Sequence, residues 1–230
     1  MVFSSHIFIF YFLPLALLLY YAAPKALRHP VLTGLSYIFY GWWNPWFTLL
    51  MLFSTAVDYA CGKQITAEGA PQSKRKLFMW VSIGVNLGVL GFFKYAAFGA
   101  STASGVVALF GGDPVAVPAF LSQVVLPVGI SFYTFQSMSY SIDLYRGHAV
   151  PAKSFGDFAC YVSLFPQLVA GPIVRYGSVA DQLQNRPHTV EGFALGLSRF
   201  SLGFAKKIFL ANPMGGIADA AFAAGDGSLG

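Results

Sequence analysis

The chain has 230 residues, 56% hydrophobic and only 10% charged, with a mean hydropathy of +0.62. A soluble domain carries about a quarter charged residues, so this composition excludes an ordinary soluble protein and points to an integral membrane protein. The formal charge of +5 comes from 14 Lys and Arg that form no basic stripe, and no nucleic acid is expected as a partner.

The first apolar segment runs from about Ile7 to Ala23, with Pro14 inside it as an expected kink. Nothing before Lys25 is basic, whereas a cleaved secretory signal opens with positive charge, so a retained first helix is expected. A basic turn, 24–30, leads into a second segment, Val31 to Trp43. As a helix it would rise roughly 20 Å, short of the ~30 Å hydrocarbon core. Tyr40-Gly41-Trp42-Trp43-Asn44-Pro45-Trp46 reads as an aromatic belt around a turn at the membrane surface.

A third segment, Phe47 to about Cys61, enters the most basic loop, with Lys63, Lys74, Arg75 and Lys76 against Glu68. The fourth, Leu77 to Phe98, is the clearest span, with Lys94 near its far end. Ala100 to Phe120 is rich in Gly, Ser and Pro and has no Lys or Arg. It reads as an external loop with a short interfacial helix around Val106 to Phe110. A helix over Val128 to Tyr145 follows, ending at Arg146-Gly147. Another, Phe155 to Leu164, runs into Pro166 and Gly171-Pro172, which predicts a bent or re-entrant element. Gly177 to Thr189 reads as a polar linker, Val190 to Asn212 as an amphipathic helix, and the rest as a Gly- and Ala-rich tail. Cys61 and Cys160, without a CxxC pattern, read as small core residues.

Charge placement sets the orientation. Lys and Arg lie in loops 24–30, 62–76 and 146–153, while 99–120 has none. The positive-inside rule then places those three loops in the cytoplasm and the N-terminus outside.

Polar groups inside the apolar segments are the candidates for function. Gln136, Ser139, Tyr140 and Asp143 fall within about 100° of one another on one helix. Such groups normally face a bundle interior or a wet cavity. The stripe either lines a substrate passage or acts as interhelical hydrogen-bond glue, and Asp143, at the cytoplasmic end, is expected to be solvated or paired with Arg146. The break at Phe165-Pro166-Gln167 and Gly171-Pro172 frees backbone groups at membrane depth, to be used in a tunnel wall or a packed kink. Gln167 and Arg175 are the polar groups it would present.

On the last helix Arg199 and Lys206 share a face, suited to an acidic partner or to anionic headgroups. Gly192, Gly196 and Gly203 line an adjacent face and permit close helix contact. His6, His29, His148 and His188 have no Asp or Ser at a triad or metal-site spacing and read as surface residues. No phosphate loop, HExxH or GxSxG motif occurs, and no metal is expected.

Six segments in order resemble the membrane-bound O-acyltransferase family. They are the opening Met1-Val2-Phe3-Ser4-Ser5, residues 36–43 (Ser36-Tyr37-Ile38-Phe39-Tyr40-Gly41-Trp42-Trp43), and Phe93-Lys94-Tyr95. Then come 126–136 (from Leu126-Pro127-Val128-Gly129 to Phe135-Gln136), 140–147 (from Tyr140-Ser141-Ile142-Asp143 to Arg146-Gly147) and 165–175 (from Phe165-Pro166-Gln167 to Val174-Arg175). Within the family the branch of bacterial alginate O-acetyltransferases is the most similar. The likeness covers residues 1 to about 212.

The resemblance implies an all-α, polytopic transmembrane helical bundle with short, broken and re-entrant helices and a tunnel through the membrane. It implies acetyl transfer from a cytoplasmic donor, acetyl-CoA or another acyl thioester, to hydroxyls of an exported polysaccharide such as alginate or to a periplasmic carrier protein. No bound cofactor is implied. The implied partners are membrane lipid, the donor, and a periplasmic acetyltransferase or polysaccharide; the implied location is the bacterial inner membrane. Family members use a histidine in a Trp-His-Gly context as base, and that motif is absent from this stretch. Family chains are about twice as long, so the resemblance makes residues 1–230 one membrane domain. By that resemblance it would be the N-terminal half of such an enzyme, expected to be inactive alone, with the catalytic histidine expected beyond residue 230. By motif position Gln136, Tyr140, Asp143, Gln167 and Arg175 are the tunnel candidates. The rival reading is a non-enzymatic transporter or scaffold subunit, which would more often show paired broken helices.

Overall fold

In the computed structural model of the chain, residues 3–42, 44–111, 125–168, 174–184 and 187–228 are described. Trp43, residues 112–120 of the Gly- and Pro-rich loop and the Gly171-Pro172 pair lie outside them. The described residues are helical, with no strand among them. In order the helices are α1 (Leu13–Ala22), α2 (Arg28–Gly41), α3 (Pro45–Ile65), α4 (Gln72–Leu109), α5 (Ile130–Arg146), α6 (Phe155–Ser163), α7 (Phe165–Leu168), α8 (Tyr176–Gln184), α9 (Val190–Lys206) and α10 (Asn212–Ser228). The chain divides into two compact units, one over Leu15–Gln184 and the other over Val2–Pro14 with Asn185–Gly230.

Local chemistry sets most boundaries in the first unit. Asn44 caps α3 by accepting from the Trp46 N–H, with Pro45 in the first turn, where its missing N–H costs nothing. Ser154 caps α6 by accepting from the Asp157 N–H. α5 stops at Gly147, which takes φ +74°. The His148 N–H reaches Asp143 O at 2.8 Å and the Gly147 N–H reaches Leu144 O at 3.1 Å, so the last carbonyls are satisfied by a Schellman turn.

α5 is the central helix, with ten of its seventeen residues buried. α3 presents Met51, Ser54, Thr55, Asp58, Cys61, Gly62 and Ile65 to the interior, a stripe of helical period. The core beside it is aromatic. Tyr140 packs on Phe158 at 4.3 Å between ring centres and edge-on to Tyr176 at 5.0 Å. Tyr161 meets the same Tyr176 at 5.1 Å. Gly62 lets this layer close: a Cβ there would lie 2.8 Å from the Tyr140 ring.

Three contacts draw the basic loops to one end of this unit. The Gln72 amide donates to the Tyr145 hydroxyl at 2.9 Å, His29 Nδ1 meets Asp157 Oδ1 at 2.8 Å, and the Ala152 N–H donates to the Tyr140 hydroxyl at 3.1 Å. Leu27, Leu77 and Trp80 are exposed.

Several boundaries differ from the sequence expectation. α4 is 38 residues long, roughly 57 Å at 1.5 Å per residue. It runs through residues 100–109, the first half of the expected external loop, and ends at Phe110 and Gly111, whose φ is +80°. Ala100, Ala103, Ala108 and Leu109 are good helix formers and carry the helix through the Gly and Ser positions that made this stretch read as a loop. α4 is also the one described helix long and apolar enough to cross a membrane. α2 begins at Arg28, because Pro30 is tolerated in a first turn. The expected linker 177–189 holds α8, whose Tyr176, Val179, Ala180 and Leu183 repeat at helical spacing and turn towards the core.

In the second unit the Gly- and Ala-rich tail forms the helix α10. A π turn over Lys207–Ala211 joins α9 to it, closed by the Asn212 N–H on Lys207 O. The same device precedes Pro14: a π turn over Phe8–Phe12, closed by the Leu13 N–H on Phe8 O. In both places the next residue is a proline, which has no N–H for the usual bond four residues back. The widened turn absorbs that gap, so Pro14 does not break its helix. No residue of α9 is buried, and nothing lies within 4 Å of where Gly196 or Gly203 would carry a Cβ. The close helix contact that this face permits is not made at Gly196 or Gly203 within the described residues.

Candidate functional site

The break after α6 is the first place where predicted site residues meet. In an uninterrupted helix the Phe165 N–H would bond to Tyr161 O. Here it donates to Ser36 Oγ at 3.2 Å, and Ser36 in turn donates to Leu32 O on α2. Leu164 turns out of the helix at ψ 105°, and Pro166 has no N–H to offer. The Tyr161 carbonyl is thereby orphaned in the interior, and two amides converge on it. Gln136 Nε2 donates from α5 at 2.9 Å and Gln167 Nε2 from α7 at 2.8 Å. The Tyr161 hydroxyl reaches past the break to Val174 O at 2.6 Å. A carbonyl left unpaired at that depth would cost several kcal/mol on the order of a full desolvation; the two glutamines remove that cost.

The other three candidates are placed separately. Tyr140 lies on the same face of α5 as Gln136, its hydroxyl held by the Ala152 N–H and its ring inside the aromatic layer. Asp143 is buried, not solvated as expected, because α8 and the Schellman turn cover the end of α5; Arg146 beside it is exposed. Arg175 is exposed at the start of α8. Next to it, burial and then the Asp157 carboxylate push the Tyr176 phenol above its ordinary pKa.

The most concentrated polar group is one that the stripe did not include. Asp58 on α3 is fully buried. Its Oδ1 accepts from Ser82 Oγ at 2.6 Å and from Asn86 Nδ2 at 2.8 Å, and Asn86 Nδ2 also lies 2.9 Å from its Oδ2. Ser82 and Asn86 are one turn apart on α4, and Ser82 Oγ stands 2.7 Å from Ser141 Oγ on α5. Three helices are thus tied by one carboxylate. The signal was in the sequence: an aspartate in the apolar run 47–61 and an asparagine in the strongest span, both costly in hydrocarbon unless partnered.

His29 also departs from the surface reading. Its contact with Asp157 joins residues 128 apart in sequence, and the two side chains are 23% and 18% exposed. No spacing rule finds such a pair. Among the described residues no group of three or more His, Cys, Asp or Glu could hold a metal ion.

Comparison with known proteins gives a consistent set. The chain is 42% identical over 230 residues to the probable alginate O-acetylase AlgI of Azotobacter vinelandii, covering all of this chain and 45% of that protein. It is 43% identical over 223 residues to the protein of the same name from Pseudomonas aeruginosa, covering 97% of this chain and 42% of that one. To the peptidoglycan O-acetyltransferase of Helicobacter pylori it is 28% identical over 255 residues, covering 96% and 46%. The chain therefore spans a little under half the length of these relatives. No family model and no solved structure matches it.

Proposed function

This chain belongs to the family of the alginate O-acetylases, as the N-terminal half of an MBOAT-type protein, and on that premise we propose that it serves a membrane-bound O-acetyltransferase. The reaction is transfer of an acetyl group from a thioester donor such as acetyl-CoA, on the cytoplasmic side, to hydroxyls of an exported polysaccharide or to a periplasmic acetyltransferase partner. The observation that carries this reading is the match at 42% identity over the whole chain to a protein named as an alginate O-acetylase.

Chemically, a hydroxyl oxygen attacks the thioester carbonyl, the carbon–sulfur bond breaks, and the hydroxyl proton must be taken by a base. His6, His29, His148 and His188 are not assigned that step; none sits in a Trp-His-Gly context, and His29 Nδ1 is engaged by Asp157. The part proposed for this half is to build one wall of the donor–acceptor route. Gln136 and Gln167 allow a broken helix to persist at membrane depth, and a break of that kind is tolerated where it borders protein or a wet cavity. Tyr140, Asp143 and Arg175 would flank the same wall towards the donor end.

A multi-pass placement in the inner membrane belongs to the proposal. The gathering of loops 24–30, 62–76 and 146–153 at one end supports a cytoplasmic face there. The test is expression of the full-length protein in a strain whose own polysaccharide acetylase is deleted, with ester-linked acetate on the exported polymer as readout. Restored acetate is expected, and Gln136→Leu is expected to lower it without lowering the protein in the membrane. Protein that reaches the membrane while the polymer stays bare would overturn the proposal and favour a transporter or scaffold role.

A further inference from the structure

No residue of α9 is buried, yet one side of it carries a regular pattern of leucine and charge. Glu191, Leu195, Arg199, Leu202 and Lys206 follow one another at steps of four, four, three and four residues, which sets them within about 80° on the helix. All five are exposed, and among the described residues Arg199 and Lys206 make no ion pair. Leu195 and Leu202 are seven apart, as are Arg199 and Lys206; a step of seven returns side chains to the same neighbouring helix. A bilayer surface takes a helix on a single apolar sector and leaves the other side to water. On α9 that sector is the opposite side, with Leu197, Phe200 and Phe204, so a helix lying there would leave Leu195 and Leu202 in water. A second copy packed symmetrically on this side would set Arg199 against Arg199 near the middle of the contact. The matched part is 45% of one curated relative and 42% of another, so more than half of such a protein lies outside these residues. That remainder, on the same chain, is held at high effective concentration.

We infer that this side of α9 docks a helix from the second half of the full-length protein, with apolar residues against Leu195 and Leu202 and a carboxylate against Arg199. The leucines supply the apolar area that leaves water. Arg199 stands near the middle of α9 and would be covered with them; a covered cation is costly unless an anion meets it, and a guanidinium donates two parallel bonds to a carboxylate. With Glu191 at one end and Lys206 at the other, the charges also favour one direction of the partner helix. This inference stands whether or not the protein transfers acetyl groups.

The test is photocrosslinking of the full-length protein in its membrane. A benzophenone amino acid replaces Leu202, and a protease site is inserted between residue 230 and the second half. After light and proteolysis the two halves are expected to stay joined on a denaturing gel, and a probe in place of Leu195 is expected to join them as well. Halves that separate, with the probe spent on lipid or on nothing, would overturn the inference, and so would a band of twice the chain's mass. Arg199→Glu is expected to lower the joined fraction several-fold, while Arg199→Lys leaves it unchanged. A joined fraction that Arg199→Glu does not move would overturn the acidic partner. Should Arg199→Glu fail to reach the membrane, mass spectrometry of the crosslinked peptide decides: an Asp or Glu in the captured helix supports the contact, and a helix with neither sinks it.

Discussion

Replacing Asp58 by leucine would remove the shared acceptor of the Asn86 amide and the Ser82 hydroxyl, leaving them only Ser82 O and Ser141 Oγ. Each buried hydrogen bond lost costs about 1 kcal/mol, so Asp58→Leu is expected to destabilise more than Asp58→Asn, as read from thermal unfolding in detergent. The two glutamines at the α6 break behave differently because they share one acceptor. With one removed, Tyr161 O keeps the other, and each single leucine substitution is expected to cost about 0.5–1.5 kcal/mol. The double substitution exposes the whole penalty, so a double-mutant cycle should give a coupling of about 1 kcal/mol or more. A sum that is strictly additive would mean that the carbonyl has found another donor. Gln136 and Gln167 were legible as polar groups in apolar surroundings, but their shared carbonyl was not: the two lie 31 positions apart, by sequence number, and meet because Ser36 takes the Phe165 N–H.

Elements here are shaped by how each sequence meets a missing or strained backbone group. Pro14 and Pro213 are each preceded by a π turn, so Pro213→Ala supplies the absent N–H. The expected result is a regular α-helix through 207–213 in a structure of the variant, with the Asn212 bond returning to residue 208. Gly147 does the opposite service, ending α5 at φ +74° where any other residue is strained. Gly147→Val is expected to cost about 1–2 kcal/mol, measurable as a lower melting temperature, because the Schellman turn that covers Asp143 depends on that conformation. Helix existence was readable from composition for α1 through α5. α8 and α10 were hidden, the first because its apolar repeat is diluted by Gly177, Ser178, Asp181 and Gln182, the second because glycine masked an alanine-rich run.

For the whole molecule, the arrangement of charge makes a direct prediction about the membrane. Single cysteines placed at Ala26, Glu68 and His148 should be labelled by an impermeant thiol reagent from the cytoplasmic side, and one at Ser104 on the far part of α4 from the opposite side. Cys61 and Cys160 are buried and give little background. Labelling of Ser104 and Glu68 from the same side would overturn the proposed placement of α4. By itself the sequence determined the helical class, the kinship and the polar candidates, because hydropathy, proline and glycine act within a turn or two of where they stand. Only the tertiary structure decided which polar groups are joined. The Asp58 seam, the carbonyl shared by two glutamines and the His29–Asp157 contact each depend on helices distant in sequence being packed side by side. Hydrogen bonds act over about 3 Å, so their partners are set by packing and cannot be read from spacing along the chain.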